Sequence, residues 1–140
     1  MARRWTPRFE DYPVADVFTG TPTPIEPQDD PGSPASPHVL DGWRAGPNFA
    51  GHHTVLLWGC GTECQRIVVV DAITGGVYIE PGPTSHGAEF RIDSARLIAA
   101  PREEIRADHG DRAPSWLYPR YYRWTGTELV QPTLPDGSER

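Results

Sequence analysis

Two runs rich in β-branched and apolar residues, His52–Trp58 and Arg66–Asp71, flank six small, turn-forming residues, Gly59-Cys60-Gly61-Thr62-Glu63-Cys64. Short runs of this composition around a tight turn form an antiparallel hairpin. The second run turns again at Asp71-Ala72-Ile73-Thr74-Gly75-Gly76 and returns as Val77-Tyr78-Ile79. In such a turn an Asp carboxylate bonds its own backbone and Gly takes the positive φ. Ile67–Val70 is therefore an interior strand, and its unbroken apolar run suits a strand covered on both faces.

Further along, Phe90-Arg91-Ile92 turns at Asp93-Ser94-Ala95 into Arg96-Leu97-Ile98, and Tyr121–Trp124 turns at Thr125-Gly126 into Glu128–Val130. The polar stretch Glu103–Arg112 reads as a loop or one short helix, and Val39–Ala45 as a helical turn. Six prolines between Thr21 and Pro37 fix φ and withhold donors, so that segment is expected to hold neither helix nor long strand. Pro13–Phe18 is a candidate short strand. The expected fold is mainly β, or α+β with little helix: an antiparallel hairpin meander in a single small sheet or sandwich. It carries a Pro-rich N-terminal strap. Residues 1–37 form an arm and linker, 38–131 one β-rich domain, and 132–140 a flexible tail. A chain of 140 residues matches a single core.

A formal net charge of −6 opposes contact with a phosphate backbone, where cationic side chains must replace counterions. No apolar run approaches the ~20 residues of a membrane helix. Neither nucleic acid nor membrane is an expected partner. The N-terminus has no apolar stretch behind Arg3-Arg4, so as written the chain reads as cytoplasmic.

Gly46-Pro47-Asn48-Phe49-Ala50-Gly51-His52-His53, then Trp58-Gly59-Cys60-Gly61-Thr62-Glu63-Cys64-Gln65, then Asp71-Ala72-Ile73-Thr74-Gly75-Gly76-Val77-Tyr78 resemble a bacterial family without an established activity. Its members read roughly GPNFAGHY, WGCGxxCQ and DAxTGxVY. They often carry an export signal and usually have Tyr where His53 stands, so the resemblance implies a β-hairpin protein of an often exported family and no reaction.

Cys60 and Cys64 flank Gly61-Thr62-Glu63 and face each other across the hairpin, within the Cα separation of about 4.4–6.8 Å that a disulfide tolerates. The other readings are two inert thiols, a redox pair, or half a zinc site, for which no second Cys pair exists. The same register sets His53 opposite Asp71 and Trp58 opposite Arg66. The first pair is a candidate oriented imidazole, the second a candidate cation–π contact. His53 stands about seven residues, roughly 23 Å of strand, from Cys60, so the two cannot form a dyad within the hairpin. His52 and His86 are left as partners for Cys60 only through tertiary approach. Adjacent strand residues point to opposite faces, so at most one of His52 and His53 is expected to join His86 in any cluster, and no metal is expected. No phosphate loop, nucleophile elbow, HExxH or deaminase signature is present, and no cofactor is implied. Trp116, Tyr118, Tyr121, Tyr122 and Trp124, interleaved with Arg120 and Arg123, have the composition of a binding patch. The sequence thus points to a non-enzymatic binding domain with a protein partner, of inhibitor or immunity type. The competing reading is a thiol-dependent enzyme or redox protein using Cys60 and Cys64.

Overall fold

The fold was taken from a computed structural model, which describes residues 7–23 and 41–132. It is mainly β: two antiparallel sheets, one of three strands and one of four. In the first, β1 (His53–Gly61) pairs with β2 (Cys64–Asp71), and β2 with β3 (Val77–Ile79). The second runs β4 (Ala88–Phe90), β5 (Arg96–Ala99), β6 (Arg120–Trp124), β7 (Leu129–Val130).

The hairpin register is the expected one, with His53 opposite Asp71 and Trp58 opposite Arg66. It slips between Gly59 and Gly61, so that Gly61 faces Cys64 and the turn tightens to Thr62-Glu63. β2 is the interior strand, and Ile67 to Val70 are at most 1% exposed. Ile67 and Val69 meet Leu97, Ala99, Trp124 and Leu129 of the second sheet, together with Phe49 and Val55, in one core shared by both sheets. Towards its tip β1 alternates between exposed and half-buried residues, as a strand covered on one face does.

The third hairpin departs from expectation. Its first strand is Ala88–Phe90, while Arg91 and Ile92 lie in the connection to β5. The carbonyls of Arg91, Ile92 and Asp93 are taken by the backbone N–H groups of Ala50, Gly51 and Val14, so they are not available to a ladder. Pro13–Phe18 is not a strand either. Pro13 makes one isolated bridge to Ser94, and the neighbouring N–H groups go to separate loops, Val14 to Asp93 and Phe18 to Gly51. Proline's missing N–H is the physical reason that a ladder cannot run through this point. Arg96 fixes the residues before it, Pro7 and Phe9. It donates to the Pro7 carbonyl at 2.6 Å, pairs with Glu89 at 2.8 Å, and stacks 3.7 Å over the Phe9 ring.

A 3-10 helix over Asp41–Ala45 answers to the expected helical turn, and Arg102–His109 is the short helix, followed by a 3-10 turn at Gly110–Arg112. Within the Pro-rich stretch only residues 21–23 are described, with Thr23 hydrogen-bonded to the Ala72 and Ile73 carbonyls. The remainder of the expected strap, and the tail beyond residue 132, lie outside the described residues.

Candidate functional site

The β1–β2 hairpin has a polar cluster at each end. At the open end of the hairpin, where β1 begins, the Asn48 and Phe49 N–H groups bond the His53 carbonyl and so place His52 in a turn just before the strand. The pleat rule therefore does not separate the two histidines, contrary to expectation. Their rings lie 4.0 Å apart, and both face Asp71. His52 Nδ1 donates to Asp71 Oδ1 at 2.9 Å, whereas His53 Nε2 lies 3.8 Å from Oδ2. The expected His53–Asp71 pair thus holds at the backbone, but the side chain bonded to the carboxylate is His52.

His53 is only 2% exposed and committed on both nitrogens: Nδ1 donates to the Ala50 carbonyl, and Nε2 accepts from Trp124 Nε1 at 3.1 Å. A nitrogen accepting from an indole N–H bears no proton, so His53 is neutral. Burial, with His52 alongside, lowers its pKa against the smaller upward pull of Ala50 and Asp71. Burial alone would raise Asp71, but the Ile73 and Thr74 N–H groups and His52 outweigh it and leave the carboxyl below its usual range. Tyr78 packs 5.4 Å from Trp124, and burial together with its hydrogen bond to Glu80 pushes the phenol up to about 12. His53, Asp71, Tyr78 and Trp124 line an open pocket of about 200 Å³. With its lone pair spent on Trp124, His53 serves as a core polar contact rather than as a base or a ligand.

The other cluster forms where the disulfide turn meets the helix. Cys60 and Cys64 are joined, with Cα atoms 5.0 Å apart. Beside them, Glu63 holds φ at +52° and His86 at +61°, a region uncommon for residues other than glycine. His86 Nε2 donates to Asp108 Oδ2 at 2.8 Å, and its Nδ1 lies 2.8 Å from Ser85 Oγ. His109 Nε2 is 3.3 Å from the same Asp108 oxygen and 3.9 Å from Glu63 Oε1. It is a buried atom with no hydrogen bond. The hydrogen bond from His86, with His109 alongside, pulls the Asp108 carboxyl below its usual range. This second cluster was missed in the sequence because its members come from a turn, a loop and a helix. The nearest signal in the sequence is His86, which is left there as a partner for Cys60 or for another histidine only through tertiary approach.

The aromatic segment divides. Trp124 is in the core and Tyr122 packs against it, so neither offers a contact surface. Arg123 sits half-buried in β6 opposite Arg96 and Val130. Trp116 and Tyr118 remain 64% and 54% exposed, with the Arg120 guanidinium 5.8 Å from the Tyr118 ring. They border an open cleft of about 320 Å³ whose lining also includes Glu63, Cys64 and Ser85. Arg66, expected to stack on Trp58, instead donates its Nε–H to the Glu80 carbonyl. The cation–π contacts among the described residues are made by Arg91, Arg96 and Arg120.

The class that fold and site define is a mainly β protein with a disulfide-tipped hairpin beside an aromatic cleft. No helix among the described residues is long and apolar enough to cross a membrane. Compared with protein-family models, curated proteins and solved structures, the chain has no significant match.

Proposed function

We propose that this chain is a non-enzymatic protein-binding domain, of inhibitor or immunity type, that engages its partner through Trp116, Tyr118 and Arg120. The observation that carries this reading is the exposure of Trp116 and Tyr118 beside an arginine at the rim of an open cleft. Large aromatics kept in water are costly for a lone domain, and Trp, Tyr and Arg supply most of the energy at protein interfaces. The net charge of −6 favours a partner with a basic face. In the test, a partner captured from cells by the intact chain is purified, and its affinity is measured for the chain and for a Trp116→Ala/Tyr118→Ala variant. A loss of about tenfold or more is expected. Equal affinity would remove the reading.

One arrangement favours chemistry instead: Ser85, His86 and Asp108 form a hydroxyl–imidazole–carboxylate chain, and Ser85 faces the cleft. Labelling of Ser85 by a fluorophosphonate, lost in His86→Ala, would establish a hydrolase and displace the binding reading. A thiol or redox role requires the Cys60–Cys64 bond to open, and is tested by reaction of Cys60 under mild reductant.

A further inference from the structure

We infer that Glu63, His86, Asp108 and His109 form a binding site for one divalent transition-metal ion, Zn²⁺ by its donor chemistry. Four side chains from a turn, a loop and a helix each offer one donor atom, and the four atoms all lie within 4.8 Å of one another. Two imidazole nitrogens and two carboxylate oxygens suit Zn²⁺, whereas calcium and magnesium prefer oxygen alone. A tetrahedral zinc with bonds of about 2.0–2.1 Å holds its ligand atoms roughly 3.3–3.4 Å apart. The contacts of 2.8, 3.3 and 3.9 Å bracket that spacing.

Three further observations converge on a cation. His109 Nε2 is buried, faces Asp108 and Glu63, and has no hydrogen bond. His86 has the outer contact typical of a metal-bound imidazole: Ser85 Oγ lies 2.8 Å from Nδ1, the nitrogen remote from the site. A hydroxyl both donates and accepts, so it can follow the imidazole when the ion replaces the proton now shared by His86 Nε2 and Asp108. Asp108 and His109 also end the helix Arg102–His109, where the peptide dipoles favour positive charge.

The site has a mechanical consequence. The helix is eight residues long and buries only Ile105, against Ala100 and Leu117, so apolar packing holds it weakly. A bound ion would fasten its C-terminal end to the disulfide turn. This inference is independent of the protein-binding reading, although Glu63 belongs to both the site and the cleft wall.

The experiment uses the untagged, chelator-stripped full chain, titrated with Zn²⁺ by calorimetry and with Co²⁺ by absorption. One equivalent should bind, with the intense visible bands of tetrahedral Co²⁺ and greater amide protection of residues 102–109 in hydrogen exchange. His86→Ala and His109→Ala should each weaken binding by about 100-fold or more, and Ser85→Ala by about 10-fold. Glu63→Gly guards against misfolding, because glycine adopts the left-handed turn without steric strain, which offsets its larger loss of chain entropy, so this variant keeps its apo melting temperature while losing affinity. His52→Ala should bind as the unaltered chain does. Absence of stoichiometric binding, an octahedral Co²⁺ spectrum, or binding lost in His52→Ala and retained in His86→Ala would overturn the site.

Discussion

At the residue scale the decisive group is His53, whose two nitrogens are both satisfied inside the core. Trp124→Phe keeps the ring but deletes the N–H, leaving Nε2 without a donor. It should cost about 1–3 kcal/mol in denaturant unfolding. The same contact sets a pH dependence. The folded pKa of His53 lies below its unfolded value, so the unfolded chain takes up the proton first and stability falls as pH drops below about 6.5. Above that pH the contribution is fully present. Unfolding curves between about pH 7.5 and 5 should reveal the loss, and His53→Leu, itself less stable, should flatten it. Asp71 acts in a different window: its folded pKa is also lowered, so its contribution is lost only in the acid range, as pH falls below the ordinary carboxylate value.

At the scale of elements β2 is bounded at one end by the Cys60–Cys64 bond and at the other by the turn that Asp71 caps, accepting from the Ile73 and Thr74 N–H groups. Cys60→Ser and Cys64→Ser open the same short loop, so each should lower stability by roughly 2 kcal/mol, and the double variant hardly more. Unequal losses in thermal unfolding would contradict a purely structural bridge. Packing separates two leucines of similar appearance in sequence. Leu97 is fully buried where the two sheets meet, and Leu97→Ala should cost about 2–5 kcal/mol. Leu57 is 38% exposed near the hairpin tip, and Leu57→Ala should stay below about 1 kcal/mol. Equal costs would show that the core does not lie where the sheets meet.

For the whole molecule, the polar features divide into those that support the fold and those it leaves open. The His53–Trp124 contact joins the first sheet to the second inside their common core. Trp116 and Tyr118 touch little of that core, so the Trp116→Ala/Tyr118→Ala variant should unfold within about 0.5 kcal/mol of the unaltered chain. A larger loss, measured by denaturant unfolding, would mean that these rings support the fold rather than a surface.

Local chemistry made the hairpins readable. The register of β1 on β2 follows from a tight turn and from period-two side-chain placement, both local properties, and it holds from His53 to Gly59. The interior position of Ile67–Val70 follows from turns at both of its ends. Turn chemistry likewise placed Asp71 and the cysteine pair. Where neighbours in space compete, the sequence was silent. Arg91 and Ile92 have strand-like composition, yet their carbonyls are claimed by residues forty positions away in the chain. His52 and His53 would point apart on a pleated strand, but bonds from Asn48 and Phe49 end the strand between them. The aromatic segment could be sorted into core and surface only once the second sheet had an inside. The Glu63–His86–Asp108–His109 cluster has no sequence pattern at all, because its spacing is set by how a turn, a loop and a helix approach one another. The sequence by itself determined the local pairings, where a few adjacent residues carry the energy; only the tertiary structure decided which polar groups meet, because those contacts depend on the packing of elements distant in the chain.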